Sequence, residues 1–184
     1  VMNFLSDTTA PAHPKLIEAI AAANTGFTPS YGNDAISARV EARLREIFEC
    51  DLKVLFAVSG TASNALALSV LCPPDGVILC HDEAHIHRDE RGAPEFYTGG
   101  AKLIPLTGAH AKIGMAELDR VLTEIPEGFV HTCPVRVLSL SNLTESGTAY
   151  SVAEVTERAD RLKQRPAFVH MDGARFANAL VSLG

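Results

Sequence analysis

His170-Met171-Asp172-Gly173-Ala174-Arg175 is the stretch on which the reading of this chain turns. Ahead of it, Ala167, Phe168 and Val169 form a β-type run; behind it, residues 178–183 follow a helical pattern. A strand that ends in Asp, turns on Gly-Ala and enters a helix through Arg is a unit of an α/β sheet. Ligands of such sheets bind at the carboxyl ends of the strands. Placed there, Asp172 offers an acceptor and Arg175 a fork of donors to one flat, anionic ligand. The same six residues also fit a strand end whose Asp caps the next helix and whose Arg is solvated.

Working outward, helical patterns and apolar runs alternate from Pro14 onward. Residues 14–24 read as a helix with Pro14 at its first position and Leu16, Ile17 and Ile20 on one face. Asp34 caps a second helix whose apolar face is Ile36, Val40, Leu44, Ile47 and Phe48. Strands are expected at 54–58, 77–80, 102–106, 135–140 and 168–171, and further helices at 62–71, 115–122 and 153–163. These strands are apolar rather than strictly alternating, as strands covered on both faces are. The expected fold class is therefore α/β, a mostly parallel sheet with helices on both faces. Residues 26–33 and 81–100 are long polar connections, and such loops in α/β domains usually carry function.

The 184 residues suffice for one substantial core, with 47% hydrophobic and 21% charged residues. A net charge of −6 and the lack of a basic run argue against nucleic acid or an anionic membrane as partner. The first residues lack the basic-then-apolar order of a signal peptide, and the longest apolar run, 65–72, is far below transmembrane length. Cys50, Cys72, Cys80 and Cys133 show no C-x-x-C pairing. They read as core thiols in a reducing compartment, which points to the cytoplasm.

Three segments bear chemistry. Ser59-Gly60-Thr61 falls at a strand-to-helix junction, where free backbone N–H groups and the helix dipole favour an anion such as phosphate. A simple capped helix start is the alternative. The run from His81 to Glu90 holds three His and four carboxylates. His81, His85 and His87 have metal-ligand spacing; equally, one His stacks on an aromatic cofactor, or the whole run is a solvated loop. His131, just before a strand, reads by default as a surface or satisfied core histidine. The five lysines, Lys15, Lys53, Lys102, Lys112 and Lys163, all have ordinary solvent-facing contexts.

In order along the chain, the motifs resemble those of the threonine aldolase family, fold-type-I enzymes dependent on pyridoxal 5'-phosphate (PLP). The likeness is to the low-specificity, β-hydroxy-amino-acid branch. Ser6-Asp7-Thr8, Tyr31-Gly32-Asn33-Asp34 and Ser59-Gly60-Thr61-Ala62-Ser63-Asn64 match its S-D-T, Y-G-[DN]-D and S-G-T-x-x-N elements. Ala84-His85 with Glu90 and Gly92-Ala93-Pro94-Glu95 resembles the loop of the ring-stacking histidine. His131 holds the place of a second active-site histidine, and the segment 170–179 resembles the D-G-A-R-x-x-N-A element. One departure is Ser141-Asn142-Leu143-Thr144-Glu145, where most members have E-N-T, so no role passes to Ser141 or Leu143.

The resemblance implies cleavage of L-threonine, L-allo-threonine or related β-hydroxy-α-amino acids to glycine and an aldehyde. It implies PLP held by Ser59, Gly60, Thr61, His85, Asp172 and Arg175, and substrate bound by Ser6, Tyr31 and Arg175. His85 and His131 become the candidate proton acceptors, with no metal. It also implies a homo-oligomer, a dimer or tetramer. The chain then reads as an N-terminal segment plus large cofactor domain, without the small C-terminal domain, and the Schiff-base lysine is expected beyond Gly184. Rival readings are another fold-type-I enzyme (a β-eliminating lyase or aminotransferase) and an inactive homologue acting as a binding or assembly module.

Overall fold

The computed structural model describes residues 9–184, which fall into two compact units divided between Leu55 and Phe56. Among the described residues, the first unit contains α1 (Pro14–Ala23) and α2 (Ala35–Phe48). Asp34 starts α2 as its sequence position predicts: one carboxylate oxygen accepts from the backbone N–H groups of Ile36 and Ser37, both at 2.9 Å. These bonds hold the Asp34 carboxyl below the usual carboxylate range, that of Ser37 N–H first.

The second unit is built on a four-stranded, wholly parallel sheet in the order β2-β1-β3-β4. Its elements are α3 (Gly60–Leu71), β1 (Val77–His81), α4 (His85–Arg88), α5 (Ala93–Tyr97), β2 (Lys102–Leu106), α6 (Met115–Glu124), β3 (Val135–Ser141), α7 (Val152–Asp160), β4 (Phe168–Asp172) and α8 (Phe176–Leu183). Every residue of β1 is buried, as befits a central strand covered on both faces.

Strand periodicity divides the core between the two faces. Val77 and Leu79 of β1 join Leu138 and Leu140 of β3 against Leu118, Val121 and Leu122 of α6 and the buried Tyr150. Ile78 and Cys80 join Val137 on the opposite face, against Leu68 and Cys72 of α3 and Ile86 of α4. Val135 and Val137 face opposite layers although two residues apart. The register shifts there, from Val77 opposite Val135 to Ile78 opposite Val137, leaving Arg136 as the extra residue.

Two expectations need correction. Residues 54–58 form no strand, and Leu55, Phe56 and Val58 are exposed. A strand exists only with a ladder partner, and none of the four strands pairs with that run. Residues 81–100 are not a continuous loop but contain α4 and α5. Among the described residues, no helix is long and apolar enough to cross a membrane.

Candidate active site

The carboxyl ends of β3 and β4 lie side by side, with Ser141 paired to Asp172. Asp172 shares the α3 face of the sheet with His170 and Ser139, because alternate residues of a strand point the same way. Its two carboxylate oxygens are held separately. Oδ1 accepts from the Ala174 backbone N–H at 3.0 Å, and Oδ2 accepts from the Asn64 side-chain amide at 3.0 Å.

Asn64 sits little more than a turn into α3 and is buried. The same amide nitrogen donates to Glu90 Oε1 at 2.7 Å, and that oxygen lies 2.8 Å from His85 Nδ1. Single ligand atoms of His85, Glu90 and Asp172 lie within 4.8 Å of one another, a grouping that a metal ion could also use. Here the two hydrogens of the Asn64 amide already lie between the carboxylates, so the cluster closes by hydrogen bonds. His81, His85 and His87 do not converge. His81 is turned to the Gly108 carbonyl and the Glu83 N–H, and His87 is exposed.

The Glu90 side chain is fully buried and its Oε2 has no partner. An unpartnered buried oxygen costs about 1–3 kcal/mol, a cost that the two bonds at Oε1 must offset. Glu145 shows the same pattern: Oε1 accepts from the His85 backbone N–H at 3.1 Å and from Ser141 Oγ at 2.8 Å, while Oε2 is buried without a partner. Where the chain departs from E-N-T, Ser141 thus binds a carboxylate brought from four residues on. His170 bonds Ser139 Oγ at 2.8 Å, and burial pushes its imidazole below the usual histidine range. Burial also pushes the Cys80 thiol up to about 12 and Cys72 up to about 11, so neither is a nucleophile.

Helix α3 begins beside the same cluster. Ser59 is its N-cap, and its Oγ accepts from the Ala62 N–H at 3.2 Å. Gly60 and Thr61 follow as the first helical residues, whose N–H groups have no intrahelical acceptor. A side chain at Gly60 would meet nothing within 4 Å. The start of the helix therefore opens onto free space, beside a recess of about 220 Å³ between Ser59, Thr61 and Ala62 and the facing Ala93 and Tyr97. From Ser59 to Asn64 the helix rises by about 7.5 Å, roughly the length of a phosphorylated pyridine. An anion cradle at one end of that span and a fixed carboxylate at the other fit PLP, with the half-exposed His85 beside the carboxylate.

Other expected site residues lie elsewhere. Arg175 is the half-buried N-cap residue of α8, three positions after Asp172. His131 does not join the cluster in this chain. It is exposed, edge-to-face with Phe129 at 5.5 Å, ahead of the amino end of β3. At 3.3 Å per residue, seven strand residues separate it from the Asp172 end by about 20 Å. Tyr31 is an exposed residue of the first unit with φ 62°, and Ser6 lies outside the described residues. In the second unit, Lys102 starts β2 at the amino end of the sheet, Lys112 is held by Glu154 and Lys163 by Asp160. Nothing local in the sequence marks Asn64 or Glu90 as the link between His85 and Asp172.

A parallel α/β sheet with a fixed aspartate at a strand end and an anion cradle at a helix start defines the class: the fold of PLP-dependent enzymes of fold type I. The model of the β-eliminating lyase family matches residues 3–184, and the chain belongs to that family. It is 37% identical over 182 residues to the low specificity L-threonine aldolase of Pseudomonas aeruginosa, covering 99% of this chain and 52% of that protein. A threonine aldolase of Leishmania major superposes with a TM-score of 0.85 at 28% identity, over 94% of this chain and 49% of that one. The PLP-bound serine palmitoyltransferase of S. paucimobilis, at a TM-score of 0.59 and 20% identity over 86% of this chain and 39% of that one, shares the fold alone. The chain spans about half the length of the curated relatives it matches.

Proposed function

We propose that this chain is the cofactor-binding part of a PLP-dependent aldolase. Its substrates are L-threonine, L-allo-threonine or related β-hydroxy-α-amino acids, cleaved to glycine and an aldehyde. One observation carries the reading: Asp172, anchored at both oxygens at the end of β4, with His85 in the same cluster. Bound there, PLP supplies an electron sink for the pair released as Cα–Cβ breaks.

The chain's own residues do the rest. Asp172 holds the proton on the pyridine nitrogen, which keeps the ring an effective acceptor. The Gly60 and Thr61 N–H groups, with the hydroxyls of Ser59 and Thr61, bind the phosphate. Arg175 directs its fork to the ring oxygen or the substrate carboxylate. His85 stacks on the ring and takes the proton of the β-hydroxyl at Nε2. That role falls to His85 rather than His131, which lies at the far end of β3. Ser6 and Tyr31 are assigned to the substrate on the family resemblance.

The free state of all four cysteines supports a cytoplasmic setting. Work as a dimer or tetramer is carried over from the family resemblance.

The test is glycine and aldehyde release from L-threonine by the full-length protein, against ammonia or keto-acid formation as the mark of a lyase or aminotransferase. Asp172→Ala is expected to lower kcat more than tenfold, at least about 1.4 kcal/mol in the barrier, with the fold intact by circular dichroism. A smaller loss would remove Asp172 from its assigned role.

A further inference from the structure

We propose that Glu90 is the positioning residue of this site, fixing the His85 tautomer so that Nε2 faces the substrate as proton acceptor. The proposal rests on the reading that His85 takes the β-hydroxyl proton, and it concerns what prepares His85 to do so.

Glu90 Oε1 has two neighbours: the Asn64 amide nitrogen at 2.7 Å and His85 Nδ1 at 2.8 Å. Asn64 cannot be turned over, because its amide oxygen would then face both the Glu90 and Asp172 carboxylates. With the amide donating, Oε1 accepts from one side and meets His85 on the other. A carboxylate oxygen is an acceptor, so the proton of a neutral imidazole belongs on Nδ1 and the lone pair on Nε2. Free imidazole side chains favour the opposite, Nε2–H form, and Glu90 reverses that preference.

The His85 backbone is held as well, its N–H bonded to Glu145 Oε1. No described residue bonds Nε2, and the His85 side chain is 43% exposed, so that nitrogen is reachable. When Nε2 takes the hydroxyl proton, the O–H pair becomes the carbonyl of the aldehyde and the Cα–Cβ pair stays with the glycine fragment. The imidazolium then lies against the Glu90 charge, as a histidine does beside the aspartate of a catalytic triad.

The experiment is long-range ¹H–¹⁵N NMR of the full-length protein, labelled at histidine and free of cofactor, at about pH 8, where imidazoles are neutral. His85→Gln assigns the signal. The wild type should carry the proton on Nδ1. Glu90→Gln, which keeps an acceptor, should retain that tautomer. Glu90→Leu should switch to Nε2–H and lose at least about tenfold in kcat with KM within about threefold. A merely structural glutamate would leave the tautomer unmoved in Glu90→Leu, and that result overturns the proposal. Should Glu90→Leu not fold, the wild-type spectrum decides: Nε2–H there also overturns it. The tautomer is read without cofactor or substrate. A protein that shows it yet releases no glycine therefore overturns the aldolase reading while supporting this role of Glu90.

Discussion

The Lys112 ammonium lies 2.8 and 2.9 Å from the two oxygens of Glu154. That hydrogen bond, followed by the Ser151 N–H, holds the Glu154 carboxyl down at about 2, well below its ordinary 4.5. Because the folded value is the lower one, the pair stabilises fully above about 4.5 and loses its effect as the pH falls toward 2. The side chains are 21% and 35% exposed, so screening limits the gain to about 1 kcal/mol. Glu154→Gln, which mimics the protonated acid, should therefore cost about that much at neutral pH in urea melts. The difference should shrink steadily below about pH 4.5; one independent of pH would show that the ion pair contributes nothing. At this scale the sequence is legible where chemistry is local. Asp172, His85 and Ser59-Gly60-Thr61 announce themselves by type and neighbours, as does the Asp34 cap. Asn64 and Glu90 stand in matched motifs, but their linkage is not legible there, because their bonds join residues 26 and 108 positions apart.

Four of the five expected strands form at nearly the expected positions, but the expected burial on both faces holds for the inner strands β1 and β3 and not for the edge strands β2 and β4, where Phe168 and Val169 stay exposed. The run 54–58 has the same composition and no strand, for pairing depends on a partner that composition does not encode. The shift at Arg136 is equally hidden: apolar residues flank it on both sides, and only the register against β1 reveals it. The bulge makes β3 unequally tolerant of deletion. Removing Leu138 would carry every earlier strand residue to the wrong face. Removing Arg136 would instead restore a regular ladder with Val135 and Val137 on their present faces, at the loss of the half-buried Arg136 side chain and its pair with Glu127. Deletion of Arg136 should leave a cooperative thermal transition, lowered by about 1 kcal/mol or less, whereas deletion of Leu138 should abolish it. Equal loss from both would show that the bulge has a structural role of its own.

The α/β class and the parallel sheet were readable because each helix–strand step repeats the same local logic. The division at Leu55 was not, because no Gly- or Pro-rich linker marks it. The Asn64–Asp172 bond ties the start of α3 to the end of β4 across 108 residues, with every strand of the sheet between. Contacts so far apart in sequence form late, after closure entropy has been met by nearer ones. Asn64→Ala should thus act on the reverse reaction: stopped-flow urea experiments should show unfolding faster by roughly 30-fold, about 2 kcal/mol, with the refolding rate little changed. A slower refolding limb would place this contact in the nucleus instead. The bond also gives the molecule a temporal safeguard. The aspartate is not locked, nor joined to the histidine through its amide bridge, until β4 has docked. A half-folded chain without a docked β4 therefore lacks the linkage from aspartate to histidine, and the two parts of this cluster meet only late in the folding of these residues.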